Sequence, residues 1–454
     1  MSGDGEAGVE VAAIRPVDRL RGEIHPPGDK SISHRALLLA ALAAGESHIH
    51  GAGDGADVRS TAAVVAGLGA TVERNGGGAA TVDYRVASPG VDGLVEPGGV
   101  LDCGNSGTTL RLVAGILSGR PGYAVLDGDD SLRRRPVARI IEPLRAMGAE
   151  LHARRGDTLP PLTVVGRTPL RAIELTTPVP SAQVKSAILL AALAADGRTV
   201  VRETVPTRDH TERMLRARGV AVERRTAGDA SAPNAVAWSL EGGARVTAID
   251  ERVPGDVSGA AFWLVAGAIH PDAELTIREV GVNPTRRAVV DILIEMGARI
   301  EERPTTGADD GVGEPRADLS VRSSELRAVE LGPEDVAAAI DEIPVLCLAA
   351  TQASGTTVIR GAGELRHTES DRLAGIAAGL DALGAAIEIR GDDIRITGPR
   401  RLEGASTDSL DDHRLAMTFA IAGLIARGTT AVGRPASAAI SYPGFFSELE
   451  RVGA

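Results

Sequence analysis

Aromatic side chains make up 2% of the chain, with two Trp, three Tyr and four Phe in 454 residues. The core must therefore be assembled from Ala, Val, Leu and Ile. Cysteine is nearly missing as well. Cys103 and Cys347 lie in glycine-rich or apolar contexts without metal-ligand spacing, which excludes a disulfide framework and reads as two small core residues in a reducing compartment. No run approaches the roughly 20 apolar residues of a membrane span. The opening MSGDGEAGVEVAA has neither the hydrophobic region of a signal peptide nor the Arg/Ser bias of a transit peptide, so a cytoplasmic protein with a loose tail over 1–12 is expected. A net charge of −12 argues against a surface that is wholly a nucleic-acid or membrane footprint, while leaving room for a local basic cleft. Lysine is the scarcest charge. Of 49 Lys and Arg only Lys30 and Lys185 are lysines, and a compact, mobile ammonium kept in an arginine-rich chain suggests a chemical use.

What is present is a repeat. The stretch PGDKSISHRALLLAALAAG (27–45) joins a cationic, hydroxyl-rich head to an Ala/Leu body, which predicts a buried helix capped by Ser31 or Ser33 and closed by Gly45. Polar heads of the same kind open five further Ala-rich helices, at GNSGTTLR (104), PSAQVKS (180), PGDVSG (254), IDEIP (340) and DDHR (411). A second mark, LGA at Leu68, MGA at Met147, RGV at Arg218, MGA at Met296, LGA at Leu383 and VGA at Val452, recurs about every 77 residues and closes a more amphipathic helix. Alternating runs such as IEIRGDDIRI (387–396) follow as hairpins, so each unit reads βαβαββ. Such a unit cannot bury its helices alone. Three copies make a domain, which predicts an α/β protein with one domain over 29–248, a second over 249–454, and a strand within 13–28 that crosses to the second domain.

The unusual residues gather ahead of the helices. Lys30, Arg35, Arg111, Arg135, Lys185, Arg208, Arg372 and Arg414, with Ser31, Asn105, Thr108, Ser181 and Gln183, predict a cleft for a substrate with several negative groups, fed by helix N-termini. Asp341 and Glu369 stand against that field. From position alone each is either a helix cap or a proton-transfer group. GNSGTT lacks the spacing of a nucleotide-binding loop, and no two histidines show zinc-ligand spacing on one helix, so no metal is expected.

In their order, PGDKSISHRALLLAALAAGE, GNSGTTLRL, LRRRP, PSAQVKSAILLAAL, TRDHTE, IDEIP, ESDRL and DDHRLAM resemble the 5-enolpyruvylshikimate-3-phosphate (EPSP) synthase family, in its second sequence class, from about Val17 onward. The resemblance implies two inside-out α/β barrel domains, each of three βαβαββ units, that close over phosphoenolpyruvate and shikimate 3-phosphate. It implies no cofactor, no nucleic acid or membrane partner, and a monomer. It further implies that Lys30 touches both substrates. Ser31, Arg35, Ser181, Ala182, Gln183, Thr207, Asp341 and Thr368 would lie on the shikimate 3-phosphate side. Asn105, Gly107, Arg135, Gln183, Arg372 and Arg414 would lie on the phosphoenolpyruvate side. Asp341 would take the hydroxyl proton and Glu369 would protonate the methylene carbon. Thr368 and Ile440 stand where the family usually has lysine, and Ala182 replaces a second serine. Space beside Gly107 implies sensitivity to glyphosate. Two rivals are weighed. The sister transferase acting on UDP-N-acetylglucosamine typically has a reactive cysteine in the loop that here reads GDDSLRRRP, and a repeat-built DNA clamp would need basic helix faces rather than Ala/Leu ones.

Overall fold

Residues 10–76, 81–228, 232–306 and 309–454 are described by the computed structural model. Heads that end in Ala- and Leu-rich bodies become helices buried on every side, because no face of such a body is polar enough to meet water. In the first of two units, Gly28–Pro254 with the short segment ending at Glu314, these helices are α1 (Lys30–Leu42), α2 (Gly107–Ser118) and α3 (Ala182–Ala192). The second unit takes the segment ending at Pro27, the stretch beginning at Gly255, and Pro315–Ala454; it holds α4 (Val257–Ile269), α5 (Ile343–Gln352) and α6 (His413–Gly423).

All residues of α1 from Ile32 onward are buried, and a fully buried leucine contributes roughly 1.5–3 kcal/mol. Its cap is Asp29, whose Oδ1 accepts from the Ile32 amide at 2.9 Å, and not Ser31 or Ser33. Ser33 is occupied elsewhere, donating to Asp29 O and accepting from the Gly53 amide. The helix ends at Leu42, so Gly45 already lies in the following strand, Ala44–Gly53. α2 and α3 pack backbone to backbone at Gly115, where a Cβ would fall 2.3 Å from the Ala187 carbonyl oxygen.

The sheets repeat one plan. Leu101–Asp102 precedes α2 and lies parallel to Gly122–Asp127, which follows it; Leu159–Gly166 and Glu150–Ala153 extend the sheet antiparallel. The strands around α3 and α5 have the same order. Burial alternates along the inner strands, as in Thr81–Pro89, so one face of each sheet covers the helices.

Three places depart from that plan. The strand before α1, Leu20–Ile24, pairs with Ala273–Gly281 after α4, with Leu20 opposite Ala273; in return Glu251–Arg252 pairs with Ala44–Gly53, Glu251 opposite Ile49. The change of unit thus falls at Pro254/Gly255 and not at 248/249, because residues 251–252 are bonded beside Ile49 and His50. The segment ending at Glu314 also leaves the expected 249–454 body. It is held in the first unit by Arg213 on Asp309 (2.6 Å) and by His210 on Glu314 (2.8 Å). The sixth repeat has no hairpin of its own: Ser406–Asp408 lies parallel to Thr430–Gly433, and the antiparallel neighbour is Val11–Ile14. Residues 11 and 12 are therefore strand, not the loose tail expected over 1–12; residues 1–9 lie outside the described residues.

The few aromatics are concentrated. Trp263, Tyr442 and Phe445 form one cluster in the second unit, with Trp263 and Phe445 ring centroids 5.3 Å apart and Trp263 Nε1 donating to the Tyr442 hydroxyl.

Candidate active site

In the first unit the starts of α1, α2 and α3 are wired together through hydroxyls and arginines. His34 on α1 meets Thr61, and Thr61 meets Thr109 on α2, both at 2.6 Å. Burial holds the His34 imidazole down at about 3, so it is a neutral member of this chain. Arg35, itself buried, donates to Thr211 (2.7 Å), to Ser186 on α3 (2.9 Å) and to the Ser31 carbonyl. Gln183 at the start of α3 donates to Thr108 at 3.0 Å and accepts from Arg111. Burial, with Arg139 and Arg135 adding repulsion, pulls the Arg111 guanidinium down to about 9. A Cβ at Gly107 would meet Arg111 Nη1 at 2.8 Å, so a side chain there would require the guanidinium to shift.

On the rim, Asn105 joins Arg135 to Asp129: it accepts from Arg135 at 2.5 Å and donates to Asp129 at 2.7 Å. Lys30, 40% exposed, reaches Asp57 at 3.3 Å. Burial would raise the Asp57 carboxyl, but Lys30, with Arg135 behind it, outweighs burial and holds it below its ordinary value. Ser181 caps α3, its hydroxyl accepting from the Val184 amide. Ala182 opens that helix and Thr207 gives its hydroxyl to Glu203.

Lys185 does not belong to this rim. It is fully buried, 2.8 Å from both Glu203 and Glu212, and stacks over Trp238 at 5.2 Å. Burial works against its charge, yet Glu212 and Glu203 outweigh burial and its pKa is raised. The sequence placed it in the cleft because it stands near the start of the same helix as Gln183; two residues along a helix, about 200° of rotation, carry a side chain to the opposite face.

In the second unit one guanidinium gathers the acids. Arg372 is 1% exposed; its Nη2 donates to Glu369 at 2.6 Å, its Nε to Asp412 at 2.8 Å, and its Nη1 lies 3.6 Å from Asp341. Neither candidate acid stands at the N-cap position of its helix. Asp371 caps the helix Arg372–Ala382 by accepting from Ala374, and Glu342 is the residue at the start of α5. Asp412 caps α6 and also accepts from Ser370. Thr368 bonds locally to the Leu365 and Ser370 carbonyls. Arg414 is buried at the start of α6, and its Nε has no hydrogen-bond partner among the described residues. Sequence reasoning missed Asp57, Arg286, Glu342 and Asp412. Their signal was present, since each is a charge within a few residues of a helix start, but acids there ordinarily read as caps and a lone arginine as surface charge.

Both cysteines are buried, and burial pushes each thiol up to about 12, so neither is a thiolate nucleophile.

A repeat-built α/β chain with a lysine, several arginines and two uncapping acids at its helix starts defines an enzyme that handles small anions. The chain belongs to the EPSP synthase (3-phosphoshikimate 1-carboxyvinyltransferase) family, whose model it matches over residues 14–449. It is 52% identical over 446 residues to the 3-phosphoshikimate 1-carboxyvinyltransferase of Gloeobacter violaceus, covering 98% of this chain and 99% of that one. To the protein of the same name from Bacillus cereus it is 46% identical over 440 residues, covering 97% and 98%. An EPSP synthase structure from Acinetobacter baumannii superposes with a TM-score of 0.87 at 37% identity, covering 98% of each chain.

Proposed function

We propose that this chain carries out its family's reaction with the residues at its helix starts. The reaction is that of the family: the carboxyvinyl group of phosphoenolpyruvate passes to the 5-hydroxyl of shikimate 3-phosphate, and phosphate is released. Lys30 meets both substrates. Ser31, Arg35, Ser181, Ala182, Gln183, Thr207 and Thr368 belong to the shikimate 3-phosphate side; Asn105, Gly107, Arg135, Gln183, Arg372 and Arg414 belong to the phosphoenolpyruvate side. Asp341 takes the hydroxyl proton and Glu369 delivers one to the methylene carbon. The carrying observation is Arg372, which holds Glu369 at 2.6 Å and faces Asp341 at 3.6 Å, so one cation orients both acids. The cationic helix starts bring two mutually repelling anions together, which is catalysis by positioning and fixed charge. We read the helices buried under one-sided sheets as two inside-out barrels of three units, working as a monomer in the cytoplasm without a cofactor.

The testing experiment supplies shikimate 3-phosphate with phosphoenolpyruvate, measures phosphate release, and repeats it with UDP-N-acetylglucosamine. Release with the shikimate ester alone is expected; release only with the nucleotide sugar overturns the reading. Gly107→Ala is expected to raise the KM for phosphoenolpyruvate about tenfold, because its Cβ displaces Arg111 and with it Gln183. Steady-state kinetics check it, and an unchanged KM would remove Gly107 from that side of the site.

A further inference from the structure

We infer that Arg286, Glu342 and Ser258 form a buried strut that positions Asp341 and sets its strength as a base. This rests on the proposed role of Asp341 as proton acceptor. Arg286 and Glu342 are joined by two contacts, Nη1 to Oε2 at 3.2 Å and Nη2 to Oε1 at 3.1 Å, and the Ser258 hydroxyl bonds to both partners. Exposure is 5% for Arg286, 1% for Glu342 and 0% for Ser258, and each of the three side chains is hydrogen-bonded to the other two. The trio ties three segments together: Ser258 opens α4, Arg286 precedes the helix Ala288–Glu295, and Glu342 opens α5 directly after Asp341.

Geometry makes the strut more than a scaffold. Arg286 Nη2 lies 4.0 Å from Asp341 Oδ2, while Arg372 Nη1 lies 3.6 Å from Oδ1. These are ion-pair separations longer than hydrogen bonds, so both cations face the carboxylate through space without either being bonded to it through these atoms. Glu342 is what holds Arg286 at that distance. The charged groups around the strut are Asp341, Asp256 at the start of α4, and Arg414 at the start of α6. Glu342 thus balances cations that would otherwise act on Asp341 alone. A carboxylate gripped by a second guanidinium is a weaker base, and proton abstraction slows with it.

The test compares kcat at saturating substrates from pH 4 to 8 in wild type and variants, as a ratio at each pH so that titration of the substrates' own phosphates cancels. Glu342→Gln keeps the side-chain shape and removes the balancing charge. Its acidic limb is expected to move down by about one pH unit and its plateau kcat to fall about tenfold, with both KM values within about threefold. Arg286→Gln removes the cation, and its limb is expected to move up. A purely structural trio would lower activity without moving the limb in opposite directions, and limbs that stay in place overturn the inference. Should Arg286→Gln not fold, Glu342→Gln decides alone: a downward shift supports the strut, and none removes it. Asp341→Asn separates the two layers. Turnover retained there removes Asp341 from the reaction and the reading above with it, whereas turnover lost there beside an unmoved limb in Glu342→Gln removes only the positioning role.

Discussion

Lys30→Met is expected to lower kcat/KM by about 10³-fold, the scale of losing a charged donor aimed at the reacting groups. The fold should not register the change. Lys30 is 40% exposed and its ion pair with Asp57, at 3.3 Å, is of the half-exposed kind that contributes about 0–1 kcal/mol. Lys30→Arg should not restore turnover, because a planar guanidinium cannot present three rotatable donors from the same point. Initial rates and a urea unfolding curve on the same preparations check both halves. Turnover within tenfold of wild type would take Lys30 out of the mechanism.

The other lysine should behave in the opposite way. Lys185→Met removes the cation that faces Glu203 and Glu212 at 2.8 Å in a fully buried setting, so two carboxylates lose their common partner. Burial, aided by Asp209, already raises the Glu212 carboxyl against the pull of Lys185, which shows how little compensation is spare. Breaking a buried pair from one side costs about 3–5 kcal/mol. The expected result is a urea midpoint lowered accordingly, or a chain that does not accumulate folded. Adding Glu203→Gln and Glu212→Gln to Lys185→Met should recover part of the loss, because the stranded charges go with it. A single variant as stable as wild type would show that the three groups are not electrostatically linked. Two lysines, equally conspicuous by rarity, are thus expected to separate in these measurements, Lys30 through turnover and Lys185, which holds α3 to its neighbours, through stability.

That contrast marks where the sequence could be read and where it could not. The repeat was legible because every unit solves the same problem, an apolar helix that needs a one-sided sheet over it, and the solution leaves the same marks each time. The polar side-chain clusters were legible as a place, the starts of helices, since such residues ahead of an Ala/Leu body stand out against it. Direction was not. Lys185 and Gln183 differ by two positions, and only the packing of α3 against Glu203 and Glu212 decides which faces inward. Asp341 and Glu369 could not be told from caps until Asp371 was found capping the second helix and Arg372 was found holding both acids. The crossing of Leu20–Ile24 was legible only through the repeat, as a strand within 13–28 expected in the second domain, and not from its own residues, which would suit either sheet. What fixes the choice is hydrogen bonding to Ala273–Gly281, some 250 residues onward.

Val11–Ile14 and Leu20–Ile24 leave the ribosome well before their partners, because the edges they complete, at Thr430–Gly433 and Ala273–Gly281, are made hundreds of codons later. During synthesis these two strands must wait unpaired, and such distant closure slows folding. Splitting the gene at the midpoint would therefore hand each product the wrong ends. A bisected enzyme could regain its sheets only if the cut were made inside a loop and both pieces were produced together.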